Sequence, residues 1–207
     1  MAIPRTIPTI LLAAALLGAE AAPAAQMPSD TTSLVRKAQA FRSLLGEADY
    51  DAARAMMAPD PRRWWETREG EGGPWTIGPS GGPWADWDRH FRSRNELVEW
   101  REEPAAATAV VRETNDYFTL LERGWVTNEI TYTFDDEGRI EGLLIRAVGE
   151  RAPGRTDEFL AWAREHDPEG LEALMPGGEI DPAGDHATRF RRLLNRWRRA
   201  AGLDPIE

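Results

Sequence analysis

The chain has 207 residues, 42% of them hydrophobic and 29% charged, with a formal net charge of −10. This composition supports one globular core with an extension, and the acidic balance argues against nucleic acid as a partner, because phosphate binding draws on clustered cations. Cysteine is absent, which excludes disulfides and a lipid-bearing cysteine and leaves the fold to be held by its core.

The N-terminus follows the three-part pattern of a secretory signal peptide. Arg5 supplies the positive start, residues 7–17 form an apolar run broken only by Pro8 and Thr9, and Ala22-Pro23-Ala24 offers a small-residue cleavage site. Cleavage is expected after Ala24, with Ala25 as the near alternative. The run is too short to span a bilayer of about 30 Å, and no second long apolar run follows. The mature protein is therefore expected to be exported, periplasmic or secreted, without a stable membrane anchor. Residues 25–33 are expected to be a disordered lead-in.

Thr32 or Ser33 can cap a first helix, in which Leu34, Ala38, Phe41 and Leu45 recur at helical spacing up to Gly46. Asp49 or Asp51 opens a short second helix, which Pro59 and Pro61 are expected to stop. Residues 62–83 are rich in Gly and Pro yet hold Trp64, Trp65 and Trp75, and are read as a folded loop with a strand near 75–77. Pro83 suits the first turn of a third helix, on which Trp84, Trp87, Asp88 and Phe91 share a face.

After Pro104 the apolar period changes to two. One strand is predicted over 108–115, continuing through a bend at Asn115-Asp116 into 117–122. The next covers 125–134, with Val126, Asn128, Ile130, Tyr132 and Phe134 on its apolar face. Asp135-Asp136-Glu137-Gly138 is a hairpin turn, and a third strand follows over 139–148. An antiparallel sheet with one apolar face needs a cover. Helices are predicted from Thr156 or Asp157 to His166, from Pro168 through Leu174, and from Asp185 to Gly202, the last with Phe190, Leu193, Leu194 and Trp197 as its stripe and six arginines around it.

This order, together with the segments FRSLLGEADYDAARAMMAPD, PWADWDRHF and RGWVTNEITYTFDDEGRIEGLLI, resembles the NTF2-like superfamily in its SnoaL-like branch. The resemblance implies an α+β cone, a curved antiparallel sheet wrapped by N-terminal helices. It covers about residues 34–150, and residues 151–207 read as a C-terminal helical extension packed outside. It implies little about activity, since the superfamily hosts isomerases, dehydratases, cyclases, hydrolases, adaptors and plain binding modules.

Polar residues that the patterning sends inward are the candidates for a site. Asn128 lies between Val126 and Ile130 on the apolar face of its strand, and Tyr132 shares that face; together they can hold a ligand oxygen or satisfy each other in the core. Asp88, among Trp84, Trp87 and Phe91, either has a raised pKa and acts as a base or pairs with Arg92 one turn on. His90 has Asp86 one turn earlier to orient its ring, or is a solvated helix residue. Arg112, Glu113 and Arg146 lie within strands, facing either the cone interior or water. The candidate catalytic residues are Asp88, His90 and Tyr132, and the candidate ligand-binding residues are Trp84, Trp87, Asp88, Asn128 and Tyr132. His90, His166 and His186 share no metal-ligand spacing, so no metal and no cofactor is expected. Three readings remain: a module binding a small, partly apolar ligand in a Trp-rich cone; an acid/base enzyme of isomerase, cyclase or dehydratase type on a polyketide- or steroid-like substrate; and a homodimer formed through the sheet face of Trp125, Thr127, Thr131 and Thr133.

Overall fold

The computed structural model describes residues 33–65, 73–74, 77–149 and 154–206. The signal segment, most of the lead-in and Trp75 lie outside the described residues. The elements run α1 (Leu34–Gly46), α2 (Tyr50–Ala55), β1 (Met57–Trp65), β2 (Gly73–Pro74), α3 (Pro83–His90), β3 (Arg94–Glu103), β4 (Ala106–Thr114), α4 (Asp116–Leu120), β5 (Val126–Phe134), β6 (Ile140–Val148), α5 (Thr156–His166), α6 (Pro168–Leu174) and α7 (His186–Ala200). The six strands form one curved, mostly antiparallel sheet in the order β2-β1-β6-β5-β4-β3. Among the described residues only the β1–β6 pair is parallel. The expected α+β class, with helices covering one face of the sheet, is what the chain adopts.

Two expectations are corrected and one strand is added. The prolines at 59 and 61 do not end a helix before a loop; they sit inside β1. Met57 pairs with Ile140 and Arg62 with Gly142, so the prolines fall in an irregular stretch that does not ask them for ladder N–H groups. The charged segment 94–103 is a strand, β3, zipped along its whole length to β4. Residues 117–122 are not a continuation of β4 but the short helix α4. Asn115 caps it by accepting the Phe118 N–H at 2.8 Å, and the Arg123 N–H returns to the Phe118 carbonyl at 2.8 Å to close it. The hairpin at Asp135 forms as read, its Oδ1 accepting the N–H groups of Glu137 and Arg139.

Two apolar cores result. In the first, Phe41 and Leu45 of α1 and Tyr50 of α2 pack on the inner face of β4, β5 and β6, against Val111, Ile130, Tyr132 and Ile145. In the second, Trp87 of α3, Phe91 just after it and Tyr117, Phe118 and Leu120 of α4 meet Phe159, Phe190, Leu194 and Trp197 of α5 and α7. Helix α3 belongs to the second core by Trp87, and turns Asp88 toward the sheet.

Candidate functional site

Four polar side chains are buried where the cores adjoin. Asp88 is 2% exposed, Glu113 0%, Asn128 1% and Asn115 4%. Glu113 is placed by the period of β4, which sends Val111 and Glu113 inward and Arg112 out to solvent. Asn128 is placed by the period of β5 and sits opposite Val111 in the ladder. Asn115 Nδ2 donates to Glu113 Oε1 at 3.0 Å, and Asn128 Nδ2 donates to Glu113 Oε2 at 3.2 Å. Ser93 Oγ donates to Asp88 Oδ1 at 3.1 Å.

The electrostatics follow from this burial. Burial pushes the Asp88 carboxyl up to about 8, against the lowering pull of the Ser93 hydroxyl and of the Arg89 and Arg63 guanidinium groups. Burial also holds Glu113 well above the ordinary range, and the negative charge of Asp88 adds to it; the amides of Asn115 and Asn128 and the charge of Arg123 oppose the shift. Arg63, on β1, is itself pulled down by burial. Both carboxyls are therefore shifted toward their neutral forms, with the Arg63 and Arg89 guanidinium groups opposing the shift of Asp88. Hydrogen-bonding capacity is left over at the cluster, where Asn128 Oδ1 is buried without a partner; Trp87 Nε1, also without one, belongs to a ring in the helical core.

The structure separates the sequence candidates. Asp88 and Asn128 are both gathered around Glu113. Tyr132 faces inward like Asn128 but lies four residues further along β5, about 13 Å at strand rise, where its hydroxyl accepts from Arg42 Nη1 at 3.3 Å and its ring meets Phe41 and Trp100. His90 is not oriented by Asp86, which pairs with Arg89. Its Nε2 instead faces Arg191 Nε of α7 at 3.3 Å. Arg92 does not pair with Asp88; it bonds Asp116 Oδ2 at 2.7 Å. Trp84 and Trp87 pack edge to face in the helical core.

Of the described tryptophans, Trp100 packs against the sheet core, while Trp84, Trp87, Trp162 and Trp197 belong to the helical core. The described tryptophans thus build the helical layer more than a cone interior. The outer sheet face is crossed by ion pairs of Glu129 with Arg101 and Arg146. Trp125 beside it is 58% exposed, with the Arg112 guanidinium 5.7 Å from its ring centroid. Glu113 is the residue that sequence reasoning left undecided. The signal that could have found it was its alternation with Val111 and Ala109, the same argument that found Asn128.

No family model matches the sequence, and no curated protein does. Solved structures similar to the chain include an NTF2-like protein of unknown function from Mesorhizobium loti, 17% identical over 59% of this chain and 98% of that one at a TM-score of 0.43. A SnoaL-like protein of unknown function from Burkholderia thailandensis is 13% identical over 58% and 99% at 0.42. An NTF2-like protein of unknown function from Cytophaga hutchinsonii is 10% identical over 58% and 95% at 0.40. These proteins carry the superfamily names that the sequence resemblance gave. What the site can do follows from this chain's own residues.

Proposed function

We propose that the protein binds a small, partly apolar molecule at the Asp88–Glu113–Asn128 cluster. The observation that carries this reading is a buried polar cluster with an unmet acceptor, Asn128 Oδ1, between two apolar cores. An unmet buried group costs roughly 1–3 kcal/mol, and a ligand carrying a hydrogen-bond donor on an apolar frame would meet that demand. The test is a titration of tryptophan emission and melting temperature with apolar hydroxy- and keto-compounds. Binding is expected, weakened at least tenfold by Asn128→Ala and left unchanged by Tyr132→Phe. No response across the panel would overturn the reading.

A second reading is favoured by one observation, the Asp88 carboxyl pushed up to about 8. A carboxyl poised near neutrality suits proton transfer, so the same site supports acid/base turnover of its ligand. In that case Asp88→Asn retains binding and abolishes turnover, and a rate that needs the carboxylate rises with pH through about 8. The signal-like pattern of residues 1–24 supports a role outside the cytoplasm, and a mature chain whose mass begins at Ala25 is the check.

A further inference from the structure

Helix α3, which carries Asp88, is bounded on both sides by left-handed backbone. Gly81 and Gly82 precede it at φ +84° and +83°, and Arg92 follows it at φ +52°. A positive φ suits glycine but strains an arginine, so the helix lies between two sharp corners. Its inner side holds Asp88 against Ser93 and the sheet. Its other side is gripped by α7. Phe190 meets Trp87 with ring centroids 5.6 Å apart. One turn of the contact is polar and centres on Arg191: Nη2 donates to the His90 carbonyl at 2.8 Å and to Asp116 Oδ2 at 2.6 Å, while Nε donates to His90 Nε2 at 3.3 Å. The guanidinium also lies 5.0 Å from the Phe91 ring centroid.

We propose that α7 is a strap that locks the Asp88-bearing helix over the buried cluster, and that the strap loosens when the His90 ring takes up a proton. Nε2 of His90 can accept from Arg191 only while it is unprotonated; an imidazolium there would set two cations against each other. The charged groups that face His90 are Arg191 from α7 and Asp116 from α4. Asp116 is shared with Arg92, and on the helix itself Asp86 is engaged by Arg89. Burial and the Arg191 charge hold His90 below its ordinary value, with Asp116 opposing. The closed arrangement is therefore full above about pH 6.5, the ordinary histidine value, and weakens as pH falls below it. An opened α3 would expose Asp88, Asn128 and Glu113 to solvent, which at 0–2% exposure the closed form does not. This rests on the cluster being a binding site, but its test does not need a ligand.

Amide hydrogen exchange of the full chain at pH 7.5 and 5.5, corrected for intrinsic rates, reads the strap. Protection of α3 and α7 is expected to fall severalfold, by no more than about tenfold for one proton, at the lower pH while β4, β5 and β6 keep theirs. His90→Gln offers Arg191 an acceptor that cannot be protonated, so it is expected to keep α3 protected at pH 5.5; Arg191→Gln is expected to lower protection at both values. Equal protection of wild-type α3 at both pH values, a His90→Gln variant that opens like the wild type, or a loss spread evenly through the sheet would each overturn the proposal. Failure to find any ligand would leave these rates unaffected, so the two readings fail separately.

Discussion

Asp88 is a side chain through which pH acts on the stability of this protein. Its folded value, about 8, lies above the ordinary 3.8, so between those values the folded state holds a proton that the unfolded chain has released. The stabilisation this brings is full below about pH 4 and is lost as pH rises through about 8. Each pK unit corresponds to about 1.4 kcal/mol. Asp88→Asn removes the titration while keeping the shape, so its stability is expected to stay flatter with pH. Urea unfolding at pH 9 is expected to find the variant more stable than the parent by about 1–3 kcal/mol, allowing for the lost link to Ser93. An equal or lower stability at pH 9 would show that Asp88 is not held in its neutral form. Tyr132 gives the contrast at the same scale. Its hydroxyl meets only a long contact from Arg42, and Tyr132→Phe is expected to cost no more than about 1 kcal/mol.

At the scale of elements, the parts of the fold that were legible are those whose periodicity and end signals agree. Helix α7 shows the 3.6-residue stripe of Phe190, Leu193, Leu194 and Trp197, and all four are buried. Strand β5 shows strict alternation from Val126 to Phe134, and the inward assignment of Asn128 and Tyr132 follows from it. Strand β3 was hidden because its segment, RNELVEWREE, is mostly charged and solvated, an edge whose pairing comes from β4 and not from its own apolar face. Strand β1 was hidden by Pro59 and Pro61, which ordinarily argue against a strand inside a sheet and here occupy its irregular stretch. Helix α4 was readable in principle, since Asn115-Asp116 ahead of an apolar run is a start signal, but the preceding β alternation was carried too far. That same Asn115 joins an element to the site. Its Oδ1 caps α4 and its Nδ2 holds Glu113. Asn115→Ala is expected to cost about 1–3 kcal/mol in chemical unfolding, from the lost cap and the released carboxyl together. Asn115→Asp keeps a capping acceptor but sets a second carboxyl against Glu113, so its loss is expected to grow as pH rises, while that of Asn115→Ala stays nearly constant.

For the whole molecule the question is whether the two cores fold as one. The sequence resemblance covers the sheet and its N-terminal helices, whereas α5 and α7 read as an addition, which invites the picture of a cone with a separable appendage. The contacts argue otherwise. Helix α3 lies between the cores, with Trp87 in the helical one and Asp88 at the sheet. Arg198 of α7 donates to the Leu120 carbonyl of α4 at 2.8 Å, and α4 is tied through Asn115 to Glu113 on β4. Removing α7 would uncover Trp87, Phe91 and Tyr117, three fully buried aromatic residues whose exposure would forfeit roughly 1.5–3 kcal/mol each. Phe190→Ala tests the coupling, because Phe190 is fully buried and touches Trp87, Tyr117 and Phe159. A cavity of that size is expected to cost about 3–5 kcal/mol. If the cores are one cooperative unit, the transitions followed by far-ultraviolet circular dichroism and by tryptophan emission shift to lower denaturant together and remain coincident. Two separated transitions, with the sheet signal unmoved, would instead make the C-terminal helices an independent layer. The chain of contacts from α7 through α3 and α4 to β4 predicts coincidence.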